Sequence, residues 1–157
     1  MPARRSLPLA AALTLAGLLL TLVTACGIST AEPAPTPADF PGIATEITKQ
    51  GVLIRDIVSG DAGCQDPVLI PTSIGFTMSG LDQTKPVRTY LYIFRNRDAY
   101  ERLRASVDDC ARSFVTDPAT FESIEQSPFV LAGQGPWAPG FKAALRTALE
   151  VAAGTGD

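Results

Sequence analysis

The distribution of apolar residues divides the chain into an N-terminal apolar run and a longer part with alternating and helical periods. Residues 7–23 are apolar at almost every position and follow a short, positively charged segment, residues 1–6. A membrane-spanning helix needs about 20 such residues, whereas the apolar region of a signal peptide is shorter. The pattern therefore predicts that residues 1–25 form a signal peptide, which is removed from the mature protein.

Strict alternation of apolar and polar side chains predicts two strands in the middle of the chain. In residues 73–79 the apolar side chains occupy every second position, and residues 87–95 alternate in the same way with larger side chains. The connection between them is too short for a crossover, so we expect the two strands to be antiparallel neighbours. A shorter apolar stretch, residues 52–58, predicts another strand earlier in the chain.

Helical periods flank these strands. Before them, Phe40, Ile43 and Ile47 share one face of a predicted helix, and Gly51 is suitably placed to end it. After them, Asn96 is a suitable N-cap for a longer helix. The apolar side of that longer helix is formed by residues spaced three and four apart: Tyr100, Leu103, Val107, Cys110 and Phe114.

The C-terminal part of the chain predicts three further elements. An aspartate followed by Pro118 is typical of a helix start, so we expect a short helix from there to Glu125. Residues 129–132 predict a brief strand, and residues 139–153 predict a last amphipathic helix. The expected order is α-β-β-β-α-α-β-α, which is an α+β fold with about four mostly antiparallel strands and helices packed on one face.

Charge and composition exclude several functional classes. Arg4 and Arg5 belong to the predicted signal peptide, which leaves 11 of the 13 Lys and Arg residues against 16 acidic residues and a net charge of −5. An acidic chain without a basic cluster is poorly suited to nucleic acid or anionic lipid. The chain has no histidine, which excludes histidine-based triads and imidazole-ligated zinc. We expect no catalytic residue, no metal site and no cofactor.

The apolar run ends in a short motif. Val23, Thr24 and Ala25, an aliphatic residue followed by two small ones, precede Cys26. This sequence resembles the lipobox of bacterial lipoprotein precursors, in which the cysteine thiol accepts a diacylglyceryl group and a signal peptidase cleaves before it. The resemblance implies a protein anchored to the cell membrane, outside the cytoplasm, because two or three buried acyl chains anchor stably. An uncleaved signal anchor, ordinary signal-peptide cleavage and a twin-arginine leader are the alternatives.

The remaining cysteines and the proline content define the mature chain. Residues 26–38 begin with the lipid-accepting cysteine and are otherwise small, polar and proline-rich, which predicts a disordered tether before one globular domain, residues 39–157. Once Cys26 is used for lipid, Cys64 and Cys110 remain as an even pair, and we expect them to form a disulfide. Two free thiols in a redox site are the alternative. Over residues 52–153 the expected architecture is similar to that of small secreted lipoproteins of high-GC bacteria.

The strongest candidate for a binding site is the turn that holds the only tryptophan. Gln134 and Trp137 lie beside two glycines, between the last strand and the last helix. Tryptophan is frequent at binding hot spots, and glycine lets a ligand approach the backbone. A tryptophan that closes the end of a small core is the alternative. Tyr90, Tyr92 and Phe94 present the same choice between an exposed aromatic surface and the core, and for them we favour the core.

Two other groups of charged residues have ordinary explanations. Asp61 and Asp66 lie in a glycine-containing loop, but they lack the spacing and the distal glutamate of a calcium loop. Arg55 and Asp56 are neighbours on a predicted strand, so they point to opposite faces and do not line one pocket easily. We expect both groups to be solvated surface charges.

These observations lead to a functional hypothesis without a residue-level mechanism. We expect a membrane-anchored, extracytoplasmic lipoprotein whose domain binds a small ligand or an envelope protein and does not catalyse a reaction. Its partners would be the lipid bilayer, through acylated Cys26, and that ligand or protein, but not nucleic acid. The alternatives are a hydrolase that uses carboxylates alone, which requires two acids in one cleft, and an accessory subunit of an envelope complex, which requires an exposed apolar patch.

Overall fold

The computed structural model describes residues 39–154, and this part of the chain has an α+β fold. The predicted signal peptide, Cys26 and the rest of the predicted tether lie outside the described residues. The helices are α1 (Phe40–Lys49), α2 (Arg97–Ala111) and α3 (Pro139–Gly154). The strands are β1 (Leu53–Ser59), β2 (Ser73–Gly80), β3 (Gln83–Ile93), β4 (Phe121–Gln126) and β5 (Phe129–Gln134). No helix within residues 39–154 has the length and hydropathy needed to cross a membrane.

The strands form one open antiparallel sheet in the order β1-β2-β3-β5-β4. The β2–β3 hairpin confirms the antiparallel pair predicted from alternation, and Ile74 lies opposite Leu91 in it. Its turn is shorter than expected, because Gly80 already pairs with Gln83 and only two residues, Leu81 and Asp82, connect the strands. The early start of β3 brings the hairpin tip towards the beginning of α3.

A strand, β4, occupies the residues for which a short helix ending at Glu125 was expected. Asp117 does cap a turn, since its side chain accepts a hydrogen bond of 3.0 Å from the N–H of Ala119, but this turn is a 3₁₀ helix of three residues. Residues 121–126 then form β4, in which Ile124 lies opposite Leu131 of β5. The expectation of a helix was wrong because pairing with β5 buries the apolar side chain of β4, a tertiary effect that outweighs local propensity. The sheet thereby has five strands rather than four.

Helices cover both faces of the sheet, and the expectation of one covered face was wrong. Helices α1 and α3 pack on each other and on the face that carries Phe76 and Leu91. Helix α2 packs on the opposite face, against Tyr92 and Val130. The reason lies in residues 90–93 of β3 and residues 129–132 of β5, whose side chains are apolar on both sides, so that each side needs its own covering layer.

The loop between β1 and β2, residues 60–72, completes the layer that contains α2. The Cys64–Cys110 disulfide joins this loop to α2 with a Cα–Cα distance of 5.4 Å and confirms the predicted pairing. Within the core, the hydroxyl of Tyr92 donates a hydrogen bond of 2.7 Å to the carbonyl oxygen of Ala62. The aromatic residues of β3 are therefore core, as favoured from the sequence, because the loop and α2 together cover them.

Candidate functional site

The tip of the β2–β3 hairpin caps the beginning of α3. The carboxylate of Asp82 accepts hydrogen bonds from the backbone N–H groups of Gly140, at 2.8 Å, and Phe141, at 2.7 Å. These groups have no partner inside the helix, and a negative charge is favourable at this end of a helix. Hydrogen bonds from Gly140 and Phe141 hold the pKa of Asp82 below its ordinary value, so the side chain is ionised at neutral pH.

Gln83 fixes the next part of the same hairpin. Its side-chain oxygen accepts a hydrogen bond of 2.9 Å from the N–H of Ala138, and its amide nitrogen donates one of 2.9 Å to the carbonyl of Lys85. The Gln83 side chain is largely buried, so both bonds satisfy polar groups that have little access to water. The hairpin and the segment before α3 are thus joined at two successive residues.

Trp137 lies at the end of the core formed by α1, α3 and the sheet. It is 4% exposed, and its indole N–H donates a hydrogen bond of 3.1 Å to the carbonyl of Gln134. Its ring packs edge-to-face on Phe141, with ring centroids 6.1 Å apart. The underlying strand residue is Gly133, where a Cβ atom would lie 3.1 Å from the indole. Trp137 therefore closes this end of the core, and only a small part of the ring faces solvent.

An open cleft of about 390 Å³ lies between the hairpin tip and the beginning of α3. One wall is formed by residues 82–85 and the other by residues 136–139, which include Trp137. Its charged groups are the carboxylate of Asp82 and the ammonium of Lys85, and the prolines, Trp137 and Ala138 form the apolar wall. This arrangement provides a partly apolar surface with one group of each charge, which suits a small polar ligand or the side chains of a protein partner.

Gln134 does not share this cleft with Trp137. Its side-chain oxygen accepts hydrogen bonds from Thr116, at 2.7 Å from the N–H and 3.2 Å from the hydroxyl, and its amide nitrogen donates to the hydroxyl of Thr120. The side chain is thus used to hold the segment before β4 against β5. Of the two residues singled out from the sequence, the structure places Trp137 in the wall of the cleft and Gln134 outside it.

A second, smaller cleft of about 210 Å³ lies at the end of α2. Its apolar lining comes from Ala111, Val115, Pro118 and Phe121. The only carboxylate in its lining is Asp108, which forms an ion pair of 2.9 Å with Arg104. This cleft has the size and polarity to accept a small apolar side chain.

Three acidic side chains near the sheet form ion pairs between elements: Asp61, Glu122 and Glu125. Arg104 of α2 also contacts Glu125 of β4, and this contact holds the pKa of Glu125 below its ordinary value. Asp61 pairs with Arg88 at 2.5 Å. Within residues 39–154, no group of three or more His, Cys, Asp or Glu side chains is arranged to hold a metal ion.

The chain matches no protein-family model, no curated protein and no solved structure.

Proposed function

We propose that this protein is a lipid-anchored bacterial lipoprotein whose folded domain lies outside the cytoplasm and binds a partner without catalysing a reaction. The support for the anchor is the sequence before Cys26, which has the residues of a lipobox after an apolar run. The Cys64–Cys110 disulfide is consistent with a compartment outside the cytosol, because cytosolic reductants keep most thiols reduced.

The observation that carries the binding proposal is the cleft beside Trp137. Both walls are held in place by hydrogen bonds, those of Asp82 to the first turn of α3 and that of Gln83 to Ala138. Its volume of about 390 Å³ falls within the range typical of ligand sites, which are usually preformed. The ligand that fits is a small polar molecule, or a polar side chain of an envelope protein, that interacts with Asp82 and Lys85.

A second candidate, an accessory subunit of an envelope complex, is supported by the exposed apolar side chains of β1. A hydrolase that uses carboxylates alone has less support. The two clefts have one carboxylate each in their linings, Asp82 in one and Asp108 in the other. Hydrolysis by carboxylates alone, as in glycoside hydrolysis, uses two of them on one substrate.

Site-specific photocrosslinking in the native cells tests the binding proposal. A photoreactive amino acid at Thr84 lies in the wall of the cleft, and the same amino acid at the exposed Arg146 of α3 is the control. We expect a crosslinked product from position 84, weakened by the additional substitution Lys85→Glu, and none from position 146. Absence of a product at position 84, or the same products at both positions, would contradict binding in this cleft. Trp137→Ala is unsuitable as a probe because the ring belongs to the core.

A further inference from the structure

Strand β1 is an edge of the sheet, and nothing among residues 39–154 pairs with its outer side. It carries Leu53 at 54%, Ile57 at 54% and Val58 at 49% exposure, which is half of the large apolar side chains exposed in the described part. An uncovered apolar edge of this kind is a template for pairing with another strand. Solubility would favour polar side chains at these positions, so their exposure requires an explanation.

A bulge in β1 determines which of its side chains share a face. In a regular strand Arg55 and Val58, three positions apart, would point to opposite faces. Between them the register shifts, and Asp56 has a φ of 51°. As a result Leu53, Arg55 and Val58 lie opposite every second residue of β2: Ser79, Thr77 and Gly75. The bulge thus places a cation between two exposed aliphatic side chains on one face.

The cation in this row has no partner in the described part of the chain. Within residues 39–154 the side chain of Arg55 forms no hydrogen bond or ion pair. Arg88 follows in the same row, two strands away, and it binds the carboxylate of Asp61 at 2.5 Å. The surface therefore already binds one carboxylate from its own chain, while Arg55, on the outermost strand, binds none from residues 39–154.

We propose that β1 binds an extended segment of a protein partner as a sixth strand of the sheet. The segment has an acidic side chain opposite Arg55 and aliphatic side chains two residues before and two residues after it, matching Leu53 and Val58. Hydrogen bonds between main chains supply affinity in such strand addition, and the alternate side chains supply specificity. Opposite charges and aliphatic pairs across neighbouring strands are both stabilising.

The opposite edge of the sheet differs in each of these features. Strand β4, which forms this other edge, has no large, exposed apolar side chain. Its two glutamates are already neutralised, Glu122 by Lys142 and Glu125 by Arg104. Unpaired charge and exposed aliphatic side chains thus occur together at β1, which assigns the partner to that edge. The proposal concerns a surface separate from the cleft beside Trp137 and does not depend on it.

Binding of a short labelled peptide to the full chain in detergent tests this proposal. The probe is a blocked peptide of sequence TVTETVT, measured by fluorescence anisotropy. We expect Arg55→Glu to weaken binding by about tenfold, because an attractive pair becomes a repulsive one. A peptide with lysine in place of glutamate should bind Arg55→Glu more tightly than it binds the wild type. Since Arg55 has no partner in the described part, Arg55→Glu should leave the circular dichroism spectrum unchanged.

Three controls separate strand addition from other modes of binding. N-methylation of alternate peptide amides removes main-chain hydrogen bonding and should abolish binding, whereas Arg146→Glu and Lys85→Glu should leave it intact. Equal binding of the N-methylated peptide, or an unchanged affinity in Arg55→Glu, would overturn the proposal. So would sedimentation equilibrium that shows a dimer dependent on Arg55 with which the peptide does not compete, because the edge would then belong to a second copy of the chain.

Discussion

Asp82 and Phe141 are 59 positions apart in the sequence and are joined by a hydrogen bond of 2.7 Å from the N–H of Phe141 to the carboxylate of Asp82. The tip of the β2–β3 hairpin thus serves as the cap of the last helix, α3. This contact sets the distance between the hairpin and the beginning of the helix. It therefore defines the width of the cleft beside Trp137, which is the strongest candidate for a ligand site.

Removal of this cap should destabilise the fold. We expect Asp82→Ala to lower the free energy of unfolding, measured by urea titration at pH 7, because the N–H groups of Gly140 and Phe141 lose their acceptor. Asp82→Asn should lose less, since its side-chain oxygen still accepts one hydrogen bond. Asp109→Ala, at an exposed ion pair on α2, is the matched control and should have little effect.

The same contact predicts a dependence on pH. The pKa of Asp82 is lowered in the folded state from an ordinary value of 3.8, chiefly by the hydrogen bond from Gly140. The stabilisation is therefore fully present above that value, and it is lost as the pH falls through the lowered pKa. The difference in unfolding free energy between the wild type and Asp82→Asn should shrink with acidification. A difference that stays constant between pH 7 and pH 2.5 would contradict ionisation of Asp82 in the folded cap.

The buried hydroxyl of Tyr92 provides a third prediction. Tyr92→Phe should cost about 1–3 kcal/mol of unfolding free energy, because the carbonyl of Ala62 would be left without a partner inside the core. Burial raises the pKa of Tyr92, so its hydroxyl remains a donor at alkaline pH. Tyr100→Phe removes a hydroxyl of the same kind from an exposed bond to Glu125 and should cost much less. Equal losses of unfolding free energy in the two variants would show that the bond to Ala62 does not hold the loop between β1 and β2 in place.

Reduction of the disulfide should have a larger effect. The bond closes a loop between residues 46 positions apart, and its loss should lower the unfolding free energy by about 2–4 kcal/mol. Urea titration with and without a thiol reductant measures this directly. The double variant Cys64→Ala, Cys110→Ala should show the same loss and no further response to reductant. A wild type whose stability does not change on reduction would contradict the predicted contribution.

Substitution of the single tryptophan tests its assignment to the core. Trp137→Ala should cost about 3–5 kcal/mol, because it removes a large buried ring from its contacts with Phe141. Trp137→Phe should retain part of the packing and lose less. If Trp137→Ala were as stable as the wild type, the assignment of Trp137 to the core would be wrong. The alternative, a surface side chain that contacts a ligand, would then be favoured.

Much of the fold could be predicted where the information is local. Alternation over residues 73–79 identified β2 and its antiparallel neighbour, and the spacing from Tyr100 to Cys110 identified α2. Strand β4 was missed because the aspartate before Pro118 indicated the start of a helix, a signal that is shared by the short 3₁₀ turn found there. Only pairing with β5, which the local sequence does not encode, resolves this ambiguity in favour of a strand.

Local patterns could not predict which face of the sheet each helix covers or which residues form the cleft, for a related reason. The apolar side of a helix is visible in its sequence, but the side of the sheet that it covers is set by the path of the whole chain. Asp82 and Gln83 were not recognised as site residues, because their partners, Ala138 to Phe141, are more than 50 positions away. A turn aspartate by itself is too common to indicate a distant helix cap.

The proposed membrane attachment through Cys26 would determine the compartment and the accessible partners of this domain. Replacement of Cys26 by alanine should prevent lipid transfer and change the distribution of the protein between membrane and soluble fractions. The thiol of Cys26 is also the reason why Cys64 and Cys110 were assigned to each other from the sequence. If Cys26 were not lipidated, both the proposed location and the argument by which the sequence assigned Cys64 to Cys110 would fail.

Mass spectrometry of the N-terminal peptide, from protein purified from its own cells, tests the proposed anchor most directly. The predicted result is a peptide that begins at Cys26 and carries the mass of a diacylglyceryl group on its sulfur. An unmodified cysteine sulfur, in a chain whose leader is cleaved elsewhere or retained, would contradict the anchor.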